Sequence, residues 1–223
     1  MTRAIATSRQ VASFEIPILL CGESGTGKSV LAASIHDWSP RRAGPFVTMM
    51  CGGHDEQHEE AWTPRAPHGT LFLDEVGMLS GPLQAKLVRF LEENASGNRG
   101  QAADASTRVI AAASDDLEHN VHAGQFRRDL FFRLNVVTIR LPALRERPED
   151  LPRLTDEVLT SLCIRHNRPA MELAPEVRAA FAAYDWPGNM RELATVLEHA
   201  IVLARTTALQ REDLPDRLLA RSS

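Results

Sequence analysis

Gly22-Glu23-Ser24-Gly25-Thr26-Gly27-Lys28-Ser29 is the stretch on which the reading of this 223-residue chain turns. It satisfies the pattern G-x-x-x-x-G-K-[ST], follows directly on the apolar run Ile16–Cys21, and opens a segment of helical spacing. Glycines in such a loop let backbone N–H groups curl around phosphate oxygens, and the helix N-terminus behind them adds its dipole. In this setting Lys28 is expected to reach the β- and γ-phosphates of ATP, and Ser29 to ligate Mg²⁺. By average composition the bare pattern arises by chance in roughly one chain of this length in a hundred. The strand before it and the helix after it make coincidence rarer.

Working outward, the apolar runs Ile16–Cys21, Phe46–Met49, Thr70–Leu73, Thr107–Ala112 and Val136–Leu141 have the length and continuity of strands buried on both faces. Between them lie helical segments. Ser29–Trp38 puts Val30, Leu31 and Ile35 on one face, and Pro82–Glu93 does the same with Leu83, Leu87 and Leu91. Strands alternating with helices predict an α/β fold, a mostly parallel five-stranded sheet flanked by helices. After Leu141 the pattern becomes helical near Pro148–His166, Ala174–Tyr184 and Asn189–Ala204, with breaks at Asn167-Arg168-Pro169 and Trp186-Pro187-Gly188. Two parts are expected: a nucleotide-binding subdomain over 1–145 and a small all-helical lid over 146–223.

The second half of the site is Thr70-Leu71-Phe72-Leu73-Asp74-Glu75. A buried strand ending in two acids, downstream of a phosphate loop, places Asp74 beside the Mg²⁺. Glu75 then stands where it can polarise an attacking water.

Composition narrows the class. With 43% hydrophobic and 24% charged residues the chain reads as an ordinary globular protein. Its net charge of −4 argues against a general nucleic-acid coat. No apolar run reaches the roughly 18 residues of a membrane span, and the N-terminus carries no signal-peptide apolar region, so a cytoplasmic location is expected. Cys21, Cys51 and Cys163 are odd in number and far apart, hence reduced thiols. Arg41-Arg42 reads as solvated surface charge.

Taken together, these strings resemble the central AAA+ domain of sigma-54-dependent transcription activators (bacterial enhancer-binding proteins). The resemblance rests on Gly22–Ser29, Gly69–Gly77 (GTLFLDEVG), Leu83–Glu92 (LQAKLVRFLE), Arg108–Ala112 (RVIAA), Gly124–Val137 (GQFRRDLFFRLNVV), Leu141–Asp150 (LPALRERPED) and Trp186–Leu193 (WPGNMREL). It implies an ATPase whose active sites lie at the interfaces of a ring, usually a hexamer. Arg127 and Arg133 match the family's arginine fingers, which reach the γ-phosphate on a neighbouring subunit and would place cations where charge develops. Arg191 matches the lid arginine, sensor II, that contacts nucleotide within its own subunit.

The chain also departs from that pattern. No GAFTGA string occurs, and only Cys51–His68 fills the stretch where the family carries the excursion that touches sigma-54. Remodelling of sigma-54 polymerase is therefore not expected. Met50 stands where the family has an asparagine that holds the catalytic glutamate, and a thioether cannot donate a hydrogen bond. Ala113-Ser114 replaces the Thr-Asn of sensor I. Arg128 replaces the acid after the first finger, with like-charge repulsion of Arg127 expected. The segment before the phosphate loop shortens to Met1–Ser13, and no DNA-binding module is visible beyond Arg205. A non-catalytic nucleotide-binding interaction protein, or a degenerate relative unable to remodel its polymerase, is the alternative reading.

Cys51, His54, His58 and His68 offer metal-ligand atoms, but Asp55 replaces the glutamate of H-E-x-x-H and no apolar helix carries the pair. A polar surface loop is expected there, with Trp62 as its anchor, and Trp186 is expected to pack the lid.

Overall fold

The computed structural model describes residues 1–52, 66–96, 106–114 and 117–219. Gly53–His58 and Trp62, the heart of the stretch weighed for zinc, lie outside the described residues. The chain forms two compact units. One comprises Met1–Gly22 with Gly27–Leu141, the other Glu23–Thr26 with the chain from Pro142 onward.

The first unit runs α1 (Thr2–Ala12), β1 (Ile18–Cys21), α2 (Lys28–Asp37), β2 (Phe46–Met50), β3 (Thr70–Asp74), α3 (Gly81–Ser96), β4 (Arg108–Ala113), α4 (Leu117–His122), α5 (Arg128–Leu134) and β5 (Val137–Arg140). The strands form one sheet in the order β2-β3-β4-β1-β5, and every pair in it is parallel. Alternation along each strand feeds two cores. Ile18, Leu20, Phe72, Ile110 and Ala112 face α1 and α2, whose Val11, Ala12, Leu31 and Ile35 close that side. Leu19, Leu71, Leu73, Val109 and Ala111 face α3 and α5, meeting Leu83, Leu87, Leu130 and Leu134. Each fully buried leucine contributes about 1.5–3 kcal/mol, which is why such short, near-continuous apolar runs suffice for strands covered on both faces.

Helix α1 is fastened by a side chain from the sheet. Arg108, buried at the start of β4, donates to the carbonyl oxygens of Ala12 at 2.7 Å and Val11 at 3.0 Å. These carbonyls end the helix, where a cation is also favoured by the dipole, and that of Val11 accepts from the Phe14 N–H as well. Burial depresses the Arg108 pKa, so the bonds to α1 help to hold its charge.

Arg41 corrects the expectation of solvated charge. Its guanidinium donates to Glu15 at 2.7 Å and to the Ser106 hydroxyl at 2.6 Å, and its side chain keeps only 16% of its exposure. Its neighbour Arg42 is exposed.

The second unit carries α6 (Leu151–Arg165), β6 (Glu172–Leu173), α7 (Pro175–Ala182), α8 (Asn189–Leu203), β7 (Ala208–Leu209) and α9 (Asp216–Leu219). It is helical, with one addition: β6 and β7 pair in parallel, two residues each. Trp186 sits in its core, 1% exposed, with Nε1 donating to the Phe181 carbonyl at 2.9 Å and the rings of Phe181 and Tyr184 edge-on to it. Among the described residues the cysteines are free thiols, and no helix is long and apolar enough to cross a membrane.

Candidate phosphate-binding site

In a parallel sheet the carboxyl ends of the strands share one edge, and that edge is where ligands bind in open α/β folds. Here it gathers the predicted acid pair and the first-unit ends of the glycine loop. Gly22 follows β1 and its N–H donates to the Ala113 carbonyl at the end of β4. Asp74 ends β3, opposite Met50 in the register of β2, and Glu75 follows in the left-handed region at φ 57°. Gly27 caps α2 with φ 102°, a conformation that costs an L side chain energy and glycine nothing. Lys28 then starts the helix with its side chain turned back. Its Nζ is buried and donates to the Gly22 carbonyl oxygen at 2.6 Å. Ser29 is exposed on the first turn.

The rest of the loop, Glu23–Thr26, belongs to the second unit and is held there by side chains of that unit. Arg191 donates to the Ser24 hydroxyl at 2.6 Å. Arg145 chelates the Glu23 carboxylate, one bond being 2.9 Å, and this pairing raises the Arg145 pKa. Thr26 is buried with its hydroxyl on the Glu23 carbonyl at 2.8 Å. A side chain at Gly25 has no room. Its φ is 78°, and an added Cβ would lie 2.3 Å from the Gly188 carbonyl oxygen.

Cys51 lies directly after β2, where its N–H donates to the Asp74 carbonyl. Its thiol is pushed up to about 12, by burial first and then by the nearby carboxylates of Asp74 and Glu75. The acid pair thus acts on an interior of low polarity as well as on the open edge.

Of the two predicted fingers, Arg127 caps the start of α5 in extended conformation and Arg133 lies on its last turn, and both are exposed. Arg127 is gripped by Asp129 through Nε at 3.0 Å and a second nitrogen at 2.7 Å. Arg133 donates to Glu92 at 2.6 Å and lines a cavity with Pro17, Arg108 and Val136. Those residues mark the amino edge of the sheet, so Arg133 is not brought to the edge that carries Asp74. Arg127 and Arg128, where like-charge repulsion is expected, take different partners. Arg128 turns onto the Phe132 ring, 5.5 Å from its centre, while Asp129 raises the Arg127 pKa.

Two polar residues emerge that pattern reading does not single out. Gln84 is buried, donates to the carbonyls of Leu79 and Gln125, and accepts from the Arg127 N–H at 2.8 Å, which sets the start of α5. Asn189 is fully buried and bonded to the loop tip. Its only sequence signal is its place after Gly188, a setting in which asparagine adopts positive φ.

Comparison with known proteins decides the family. The model of the sigma-54 interaction domain matches residues 1–63 and 53–140, and that of the AAA+ ATPase lid domain matches 145–223. The chain belongs to the sigma-54 interaction domain family. The chain is 38% identical over 231 residues to the sigma54-dependent transcriptional activator SfnR of Pseudomonas putida, covering 94% of the chain and 63% of SfnR. It is 40% identical over 224 residues to the alginate biosynthesis transcriptional regulatory protein AlgB of Pseudomonas syringae pv. tomato, covering 91% and 50%. It therefore spans about half to two thirds of the length of these curated relatives. Among solved structures, NtrX of Brucella abortus in complex with ADP superposes with a TM-score of 0.88 at 28% identity, over 98% of this chain and 54% of NtrX. NtrX has also been solved with ATP.

Proposed function

We propose that this chain binds Mg-ATP and is the nucleotide-dependent module of a transcription regulator, hydrolysing ATP slowly where copies meet in a ring. The observation that carries this is the loop Gly22–Ser29. It has the glycine conformations of a phosphate cradle, a lysine held inside it, and an acid pair ending a strand of the same sheet. The solved complexes of NtrX with ADP and ATP support the same ligand.

Each residue then has a role in chemistry. Backbone N–H groups of Gly22, Glu23, Ser24, Gly25, Thr26 and Gly27, with the Lys28 ammonium, hold the phosphates. Ser29 and Asp74 supply hard oxygen donors of the kind Mg²⁺ takes, and both are at least partly exposed. When bound, that ion neutralises charge on the β- and γ-phosphates. Glu75 orients and polarises the attacking water, and Arg191 contacts nucleotide in its own subunit. Arg127 and Arg133 act on the site of a neighbouring copy. Self-association follows from that last role. The role does not extend to remodelling sigma-54 polymerase, because the sequence holds no GAFTGA string.

A second reading has its own observation. Met50 lies opposite Asp74 and is 53% exposed, an apolar thioether at the rim of the acid pair, and Ala113 adds no polar group. A chain that binds nucleotide, joins rings and turns nothing over would look the same. Phosphate release measured against protein concentration separates the two. Turnover that rises with concentration and disappears in Arg127→Ala supports the ATPase, and binding without turnover supports the second reading. No ATP affinity at millimolar nucleotide would remove both.

A further inference from the structure

The tip of the phosphate loop is tied to one carboxamide. Asn189 is 0% exposed and adopts φ 51°. Its Oδ1 accepts from the Leu144 N–H at 2.7 Å, and its Nδ2 donates to Glu23 Oε2 at 3.1 Å and to the Ser24 carbonyl at 3.0 Å. The orientation of the amide follows from chemistry. A backbone N–H can only donate, while a carboxylate and a carbonyl can only accept, so both amide hydrogens face the loop. The backbone beside it adds a further tie, from the Met190 N–H to the Gly25 carbonyl at 3.0 Å. Glu23 Oε2 is shared with Arg145, so the carboxylate is fixed from two sides.

We propose that Asn189 is a positioning residue for nucleotide binding, which sets the conformation of Glu23–Gly25 before any phosphate arrives. The proposal deepens the nucleotide-binding reading and rests on it. Phosphate is held by backbone N–H groups of this loop, so affinity depends on their being pointed correctly in the free protein, and a loop that must be ordered on binding binds less tightly.

Asn189→Asp is the discriminating variant. Aspartate tolerates positive φ and keeps the acceptor for Leu144, but it turns an oxygen toward the Glu23 carboxylate and the Ser24 carbonyl. Two measurements on the whole chain read it: amide hydrogen exchange without nucleotide, and calorimetric ATP affinity. Exchange at Met190 is expected to quicken, and ATP affinity to fall, each by about tenfold or more, with Leu144 still protected. Adding Glu23→Gln, whose amide can donate to the new carboxylate, should recover a large part of both losses. Unchanged exchange at Met190 would overturn the assignment, as would joint loss of protection at Met190 and Leu144 with a lower melting temperature, or no recovery in the double variant. Should the wild-type chain bind no ATP, the nucleotide reading falls, and the exchange experiment still decides whether Asn189 positions the loop. If the Asp variant gives no cooperative melt, Asn189→Gly, at ease at this φ, takes its place. Faster exchange at Met190 with weaker ATP binding is again the expected result, and unchanged exchange there would again overturn the assignment.

Discussion

Lys28 and Gly22 stand at opposite ends of one loop, and the ammonium of the first donates 2.6 Å to the carbonyl oxygen of the second. A triphosphate entering the loop offers that ammonium charged oxygens in place of a neutral one, the stronger partner for a cation. Lys28→Met keeps most of the buried stem and removes the charge. ATP binding should weaken by about 2–5 kcal/mol, the usual cost of truncating one side of a buried charged pair. Calorimetry giving equal affinities would place the phosphates elsewhere.

Gly25 and Gly124 separate strain from collision. Both have left-handed φ, 78° and 72°, but a Cβ on Gly124 meets nothing within 4 Å, whereas one on Gly25 would strike the Gly188 carbonyl oxygen. Gly124→Ala should therefore cost only the conformational term of about 1–2 kcal/mol. Gly25→Ala should cost clearly more in thermal or urea unfolding. Equal losses would mean that the loop tip yields freely.

Cys51 makes stability depend on alkaline pH. Burial, with help from Asp74 and Glu75, lifts the thiol from 9.0 to about 12, so the folded chain retains a proton that the unfolded chain releases. Its contribution is intact below the ordinary value and is lost at about 1.4 kcal/mol per pH unit as pH rises through the window up to the folded value. Urea titrations at two alkaline pH values should show a steeper loss for wild type than for Cys51→Ala. Parallel slopes would show that the thiol is not shielded.

Trp186 fills the core of the second unit and spends its indole N–H on Phe181. Trp186→Ala should destabilise by about 3–5 kcal/mol, the range for truncating a buried aromatic. Denaturant unfolding followed by circular dichroism measures it, and a loss under about 1 kcal/mol would show that the site collapses around the gap.

Arg127 predicts a loss of function without a loss of fold. It is exposed, and among the described residues its guanidinium pairs with Asp129, two residues along. Arg127→Ala should leave the melting temperature unchanged and abolish phosphate release at high protein concentration. Undiminished turnover would exclude an action in trans.

Legibility in the sequence tracks how local the cause is. All five strands of the large sheet are readable to within one or two residues, because strands buried on both faces need unbroken apolar runs, and such runs announce themselves. The loop and the acid pair are readable for the same reason: their chemistry is written in consecutive residues. Helix α1 does not show itself as a helix. Its inner face is Ala4, Ser8, Val11 and Ala12, small residues plus a buried serine, so the helix shows in its polar outer face and not in the large apolar residues that mark the other helices. The β6–β7 pair is too short for any period to show. Arg41 looks solvated in sequence because Glu15 and Ser106, which engage it, are remote along the chain. Asn189 is hidden likewise, since its partners Leu144, Glu23 and Ser24 come from two distant stretches.

The bonds from Arg108 to Val11 and Ala12 carry a last implication, for any attempt to trim the chain. Removing the first dozen residues to isolate the sheet and its loop looks harmless, as no chemistry resides there. It would instead uncover the sheet face that Val11 and Ala12 close and take both carbonyl partners from the Arg108 guanidinium, so the trimmed chain is expected to lose stability although no reacting group has been removed.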